Sequence, residues 1–235
     1  MRKKITIVTM GQIPANTKMH DIYNMFAQDC DVEMHGILDG MSEEEIDMLA
    51  PQGSEMLIVS SLHTGREVRI AEHNAIRLVN ERLIEAEKGG SVAALILCTG
   101  HFDIPDMRMP VFVPEKILFS LFRAMGVKRL GAIVPKPEQI AASEAYYSEF
   151  SPRIRAASPY GTREQIEAAA ASFRDSDVDI LMTDCMGFTE EAGKMIQAAS
   201  GKQVFVPRVV VPALLKAIVS LSLIHISEPT RPEPI

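Results

Sequence analysis

The sequence predicts an α/β fold of two similar lobes, each a parallel sheet flanked by helices. Two observations carry that expectation. Apolar runs of strand length alternate with helix-length stretches along the chain. The two halves also echo each other, since each reaches a helix, a short gap, a buried strand and then Cys-x-Gly, at Cys98-Thr99-Gly100 and at Cys185-Met186-Gly187. The expected boundaries are 1–113 for the N-terminal lobe and 114–220 for the C-terminal lobe, whose final helix is free to pack back on the first.

Taken in order, Ile5-Thr6-Ile7-Val8-Thr9 is a first strand that ends at Met10-Gly11. A helix over 19–27 leads to a second strand over 32–38. Ser42 followed by Glu43-Glu44-Glu45 reads as a capped helix start, with acids at the positive end of the dipole. A third strand covers 56–60, and a long helix covers 67–87 before the glycine pair Gly89-Gly90. The apolar run Ala94-Leu95-Ile96-Leu97 then delivers Cys98. After Pro110-Val111-Phe112-Val113-Pro114 the second set has helices over 115–125, 138–150 and 162–173. Its strands cover 129–134, 153–157 and the run from 180 into Cys185. Thr162 and Thr189 are the expected helix caps. A last strand falls at 203–207 and a last helix begins at Pro212.

Leu221-Ser222-Leu223-Ile224-His225-Ile226-Ser227-Glu228-Pro229-Thr230-Arg231 resembles a translated sequencing adapter. Residues 221–235 are therefore set aside as a non-native tail, and His225 carries no functional weight. A frayed tail rich in proline, with Pro229, Pro232 and Pro234, would have the same composition.

At 235 residues the chain is long enough for one large domain or two small ones. Its formal charge of -7 opposes nucleic acid as a main partner, because phosphate binding needs a concentrated basic surface. Cys30, Cys98 and Cys185 are too few and scattered for a disulfide framework. No run approaches the ~18 apolar residues of a membrane span, and the apolar start at 5–9 is too short for a signal peptide. The expected setting is the cytoplasm, without membrane or nucleic acid, with a small anionic metabolite as ligand and a homodimer as the assembly.

The residues able to do chemistry cluster at strand ends, where open α/β sheets bind ligands. A thiol titrates near working pH and serves as acid or base. Cys185 precedes a helix start that would favour its thiolate, while neighbouring Asp184 opposes this unless it faces away. Cys98 runs into a loop, with His101 as the nearest cation. The competing reading of each cysteine is a small buried hydrophobe, and Cys30 is read that way. Gly11 follows the first strand without the glycine pattern of a dinucleotide site. Ser158, Tyr160 and Thr162 sit between a strand and a helix, where hydroxyls and N–H groups would receive a carboxylate. Arg66 would pair with an anion or lie in solvent. Cys98-x-x-His101 with Asp184-Cys185 has poor spacing for zinc, so neither a metal nor a cofactor is expected.

Ile37-Leu38-Asp39-Gly40, Cys98-Thr99-Gly100, Ile133-Val134-Pro135 with Gln139, Ala157-Ser158-Pro159-Tyr160 and Asp184-Cys185-Met186-Gly187-Phe188 occur in the order seen in the AroM family. Over residues 1 to about 220 the chain resembles that family, whose name implies a link to aromatic amino-acid metabolism. More distantly it is similar to the aspartate/glutamate/hydantoin racemase superfamily. That likeness implies two α/β lobes, no cofactor, and Cys98 and Cys185 as paired acid and base. It also implies Gly11, Thr99 and Ser158 around the substrate carboxylate. Gly100, Tyr160, Met186 and Gly187, from the same turns, and Arg66 complete the candidate substrate-binding set. The racemases carry a helix and an Asn-Thr pair after the first cysteine, whereas here Thr99 opens a proline-containing loop. The preferred expectation is an enzyme moving a proton on a small carboxylic or amino acid. The alternative is a non-catalytic ligand-binding or regulatory protein using the same cleft.

Overall fold

Two four-stranded parallel sheets form the frame. In the first, β1 (Lys3–Thr9) is flanked by β2 (Cys30–Gly36) and β5 (Ala93–Leu97), and β6 (Val111–Phe112) extends the β5 edge, giving the order β2-β1-β5-β6. In the second, β7 (Leu130–Val134) and β9 (Ile180–Thr183) are central, with β8 (Arg153–Ala156) and β10 (Val204–Phe205) outside them, in the order β10-β9-β7-β8. The computed structural model describes residues 2–13, 19–53 and 55–221, so the tail set aside above lies outside them from residue 222 onward. No helix among the described residues is long and apolar enough to cross a membrane.

Every residue of β5 and of β7 is buried, as parallel strands covered on both faces must be. Side chains alternate between faces, which divides each sheet's packing in two. Val8, Ala94 and Ile96 pack against α3 (Glu72–Lys88) through Ala75, Val79 and Leu83. Ile5, Ile7, Leu95 and Leu97 face the other way. They meet Ile22 and Phe26 of α1 (His20–Ala27) and Val211, Leu215 and Val219 of α8 (Pro207–Leu221). This helix, the last among the described residues, thus covers the first sheet. In the second lobe, Leu118 and Phe122 of α4 (Pro114–Ala124) and Tyr147 and Phe150, after α5 (Ile140–Tyr146), cover one face. Ile166 and Ala170 of α6 (Arg163–Ala171), with Ile196 of α7 (Glu190–Ser200), cover the other.

The expected caps form. Ser42 and Glu45 make a reciprocal capping box on α2 (Glu43–Asp47), with Ser42 N–H to Glu45 Oε2 at 2.8 Å and Glu45 N–H to Ser42 Oγ at 3.2 Å. Thr162 and Gln165 do the same on α6, and Thr189 Oγ1 accepts from Ala192 N–H at 3.2 Å on α7.

Two elements differ from expectation. The run expected as a third strand, β3 (Leu57–Ser61), joins neither parallel sheet and pairs antiparallel with β4 (Glu67–Ala71). The stretch expected as the first turn of the long helix is therefore a strand. Val68 and Ile70 are buried while Glu67 and Arg69 are exposed, a period of two that the charges disguised. The final helix also starts earlier than Pro212. It begins at Pro207, where a missing N–H costs nothing, and Pro212 lies within it.

Two ion pairs fasten the hairpin to the second lobe, Lys136 Nζ to Glu67 at 3.0 Å and Arg69 Nη2 to Glu138 at 3.3 Å. Gly36 is dictated by close approach, since a Cβ there would lie 2.3 Å from the carbonyl oxygen of Gly11. Asp39 completes the junction by accepting from Gly36 N–H at 2.8 Å and Ile13 N–H at 2.6 Å, which holds the loop after β1.

Removing the fully buried Leu215 side chain should cost about 2–5 kcal/mol. Leu214→Ala, on the exposed side of the same helix, should stay within about 0.5 kcal/mol of the parent. Urea denaturation of both variants checks this. Equal losses would mean that α8 does not seal the first sheet.

Candidate active site

The carboxyl ends of both sheets open on one cleft of about 500 Å³, within the range of sites that enclose small ligands. β1 supplies Thr9, Met10 and Gly11, β5 supplies Cys98 and Thr99, and the hairpin supplies Ser60, Ser61 and Leu62. From the second lobe come Pro135 and Lys136 after β7, Ser158 and Tyr160 after β8, and Cys185, Met186 and Gly187 after β9. Strand ends at a sheet's carboxyl edge are the expected ligand position in such folds.

The two thiols have the same local setting. Gly100 N–H donates to Cys98 Sγ at 3.4 Å, and Gly187 N–H donates to Cys185 Sγ at 3.3 Å. Each Cys-x-Gly turn folds back on its own sulfur, so Gly100 lies behind the cleft wall and not on it. Gly187 must lack a side chain, because a Cβ would lie 2.8 Å from Pro159 Cγ and 2.9 Å from the Tyr160 hydroxyl. Tyr160 itself is 62% exposed and stands at the cleft wall beside that turn.

Burial governs the electrostatics. It pushes the Cys98 thiol up to about 12, against the Gly100 N–H, with the charges of Cys185, Asp184 and Glu72 adding to the rise. It pushes Cys185 up to about 11, against Gly187 N–H, with Asp184 raising it further and Arg208 lowering it. The helix start behind Cys185 does not offset this, since Thr189 and α7 come four residues later in the chain. At neutral pH both sulfurs carry their protons.

Asp184 lies within reach of the hydroxyls of Thr99 and Tyr147. Burial raises its carboxyl to about 6, against those two hydrogen bonds, and Glu115 adds to the rise. His101 gives Cys98 no cation. Its Nδ1 meets the Tyr146 hydroxyl at 2.9 Å, and its ring lies 3.5 Å from Asp103 and 3.7 Å from Glu115. The Tyr146 hydroxyl also donates to Glu115.

Arg66 lies outside the lining. Its guanidinium reaches Asp47 at 3.0 Å and Glu43 at 3.4 Å on α2, whose acids draw it from the cleft. A buried cation does line the cleft: Arg208, 7% exposed, at the start of α8. It donates to Asp21 through Nε at 2.9 Å and Nη2 at 2.6 Å, and through Nη1 to the Met186 carbonyl at 2.9 Å. Burial raises the Asp21 carboxyl, but the guanidinium outweighs it and leaves the group below its usual range. A signal for Arg208 is present in the sequence, where it is the only charge between Lys202 and Lys216.

Residues 5–219 match the family described as AroM protein. The chain belongs to the AroM family. The segment Asp184 to Phe188, the most specific part of the AroM resemblance, forms the Cys185 turn of the cleft, and the segment with Asp39 holds its β1 loop. No curated protein matches the chain. The fold is that of three solved structures, all at low identity. Maleate isomerase Iso from Pseudomonas putida S16 has a TM-score of 0.56 and 14% identity, covering 92% of each chain. Arylmalonate decarboxylase has a TM-score of 0.54 and 14% identity, again with 92% of each chain covered. Glutamate racemase isoform RacE1 from Bacillus anthracis has a TM-score of 0.55 and 11% identity, covering 94% of this chain and 82% of that one. These likenesses establish a racemase-like α/β architecture for this AroM family member.

Iodoacetamide should modify Cys185 ahead of Cys98 at any pH. Both rates should climb about tenfold per pH unit from pH 8 to 10, because the reactive thiolate is scarce throughout that window. Peptide mass mapping reads each site, and a plateau near pH 8 would mean ordinary thiols.

Proposed function

We propose that this AroM family member is a cofactor-independent enzyme that moves a proton on a small carboxylic or amino acid, with Cys185 and Cys98 as its acid–base residues. The observation that carries this reading is the placement of both thiols, each at the end of a central strand, on one small cleft. Thiol acid–base chemistry needs no metal or prosthetic group, only a bound carbon acid and a route for the proton.

The protonated resting state sets the direction of the first step. A neutral thiol is a proton donor, so Cys185 is suited to deliver hydrogen to a developing carbanion or enolate. The carbanion arises when a carboxyl group leaves the same carbon as carbon dioxide, or when a C–H proton passes to Cys98 as thiolate. The Cys185 S–H bond then breaks as the new C–H bond forms. The thiolate left behind, stabilised by Gly187 N–H and by the charge of Arg208, regains its proton from water. Cys98 stands on the same cleft as the partner thiol. Ser158 and Tyr160 line the same cleft and in this reading orient the substrate carboxylate, with Thr99 beside them, and Gly11 keeps that wall close to the hairpin. The structural relatives are an isomerase, a decarboxylase and a racemase, which supports this reading. A one-thiol protonation needs only the state present here. Two-base racemisation requires ligand binding to strip one thiol first.

The test begins with a thermal-shift screen of amino acids, hydantoins and shikimate-pathway acids. Ligands that bind are then incubated in heavy water, and deuterium entry at the carbon next to the carboxylate is followed by NMR. Cys185→Ser should slow that exchange by about 100-fold or more, and Cys98→Ser should slow it or change its stereochemistry. Binding without exchange, or exchange indifferent to both serines, would leave a ligand-binding protein.

A further inference from the structure

We infer that Arg208 is the positioning residue of the Cys185 turn: it bonds the Met186 carbonyl, and so fixes from its far end the peptide group whose N–H touches Cys185 Sγ. Resting on the thiol chemistry proposed above, this deepens it by naming what holds the proton-delivering sulfur in place.

The contacts form one line. Arg208 Nη1 donates to the Met186 carbonyl at 2.9 Å, and Gly187 N–H donates to Cys185 Sγ at 3.3 Å. The Met186 carbonyl and the Gly187 N–H belong to one planar peptide unit, so a bond that fixes the oxygen fixes the hydrogen as well. Asp21 of α1 holds the guanidinium in turn, accepting from Nε at 2.9 Å and from Nη2 at 2.6 Å. That two-pronged pairing sets the plane of the fork and leaves Nη1 aimed at the carbonyl. A charged donor also polarises the peptide it reaches and strengthens the N–H at the other end. The anchor stands back from any substrate. Asp21 lies outside the cleft lining, whereas Arg208, Cys185, Met186 and Gly187 are part of it.

Burial makes the support specific. Arg208 and Met186 are both buried, and a cation withdrawn from water needs fixed partners. Gly187 abuts Pro159 and Tyr160, so the turn has little room to settle elsewhere. The Cys98 turn makes the matching bond, from Gly100 N–H at 3.4 Å, but of the two turns Arg208 bonds that of Cys185. The sulfurs share a local motif and differ in what holds it. The titratable and charged groups facing Cys185 are Asp184 beside it, Cys98 from the loop after β5, Tyr160 from the loop after β8 and Arg208 from α8. Asp184 opposes a Cys185 thiolate and Arg208 favours it.

The experiment uses the full chain without substrate. Amide hydrogen exchange, read by NMR on the unaltered protein, compares Gly187 with Gly100, both half-buried. Gly187 should exchange more slowly by about tenfold or more, and equal rates or a slower Gly100 would overturn the inference. Methyl methanethiosulfonate labelling over a range of about pH 7 to 10, with peptide mapping, then follows each thiol. Arg208→Met should slow Cys185 about tenfold at every pH without changing the slope, and leave Cys98 within about twofold. Arg208→Lys keeps the charge, but one ammonium cannot span Asp21 and the Met186 carbonyl, so Cys185 should still be slowed about threefold or more. Full recovery by lysine would mean that charge alone acts. Acceleration of both thiols would mean a merely loosened fold. Either result overturns the inference, and if Arg208→Met does not fold, the exchange comparison and the lysine variant still decide. A slowed Cys185 in Arg208→Met, with deuterium entry indifferent to Cys185→Ser, would leave this inference standing and the proposed function refuted. The opposite pair of results would refute this inference alone.

Discussion

The first sheet has two apolar faces, and its own half of the chain closes only one of them. α3 and the hairpin close one face, but the face bearing Ile5, Ile7, Leu95 and Leu97 is completed only by Val211, Leu215 and Val219 of α8, from the far end of the chain. Burying that face therefore forces the end of the chain back across the first lobe. The consequence reaches the cleft, because the first turn of α8 carries Arg208 to its place beside the Met186 carbonyl and against Asp21 of α1. Hydrophobic closure and the position of the cleft's buried cation are one event.

That closure also sets the chemistry of the sulfurs. Two thiols at strand ends in open solvent would titrate near their ordinary value, but withdrawal from water penalises the thiolate at both. Each keeps one backbone N–H as compensation, from the glycine two residues on. The outcome is a cleft whose resting state offers protons. Asp184 works in the same direction as burial. Arg208 works against it and favours Cys185 over Cys98.

Much of the frame was legible from residue patterns. The fully apolar runs at 93–97 and 130–134 mark strands buried on both faces, and Ser42, Thr162 and Thr189 announce their helices by local hydrogen bonding. The AroM resemblance rested on short segments, four of which contribute to one cleft. The hairpin was hidden because Glu67 and Arg69 satisfy a helical charge pattern as readily as the exposed side of a strand, and Leu57–Ser61 decides between them only by pairing. Arg66 suggested an anion site from its place in a loop, but the acids that claim it lie about twenty residues upstream.

The sequence by itself determined the α/β class, the two Cys-x-Gly turns at strand ends and most helix starts, because each depends on hydrophobic period or on hydrogen bonds within a few residues. Only the tertiary structure decided that the two turns share one cleft and that Arg208 rather than Arg66 lines it. Those relations join residues tens to hundreds of positions apart. They follow from which apolar faces must be covered and how much water is left around the groups between them, quantities that no local pattern encodes.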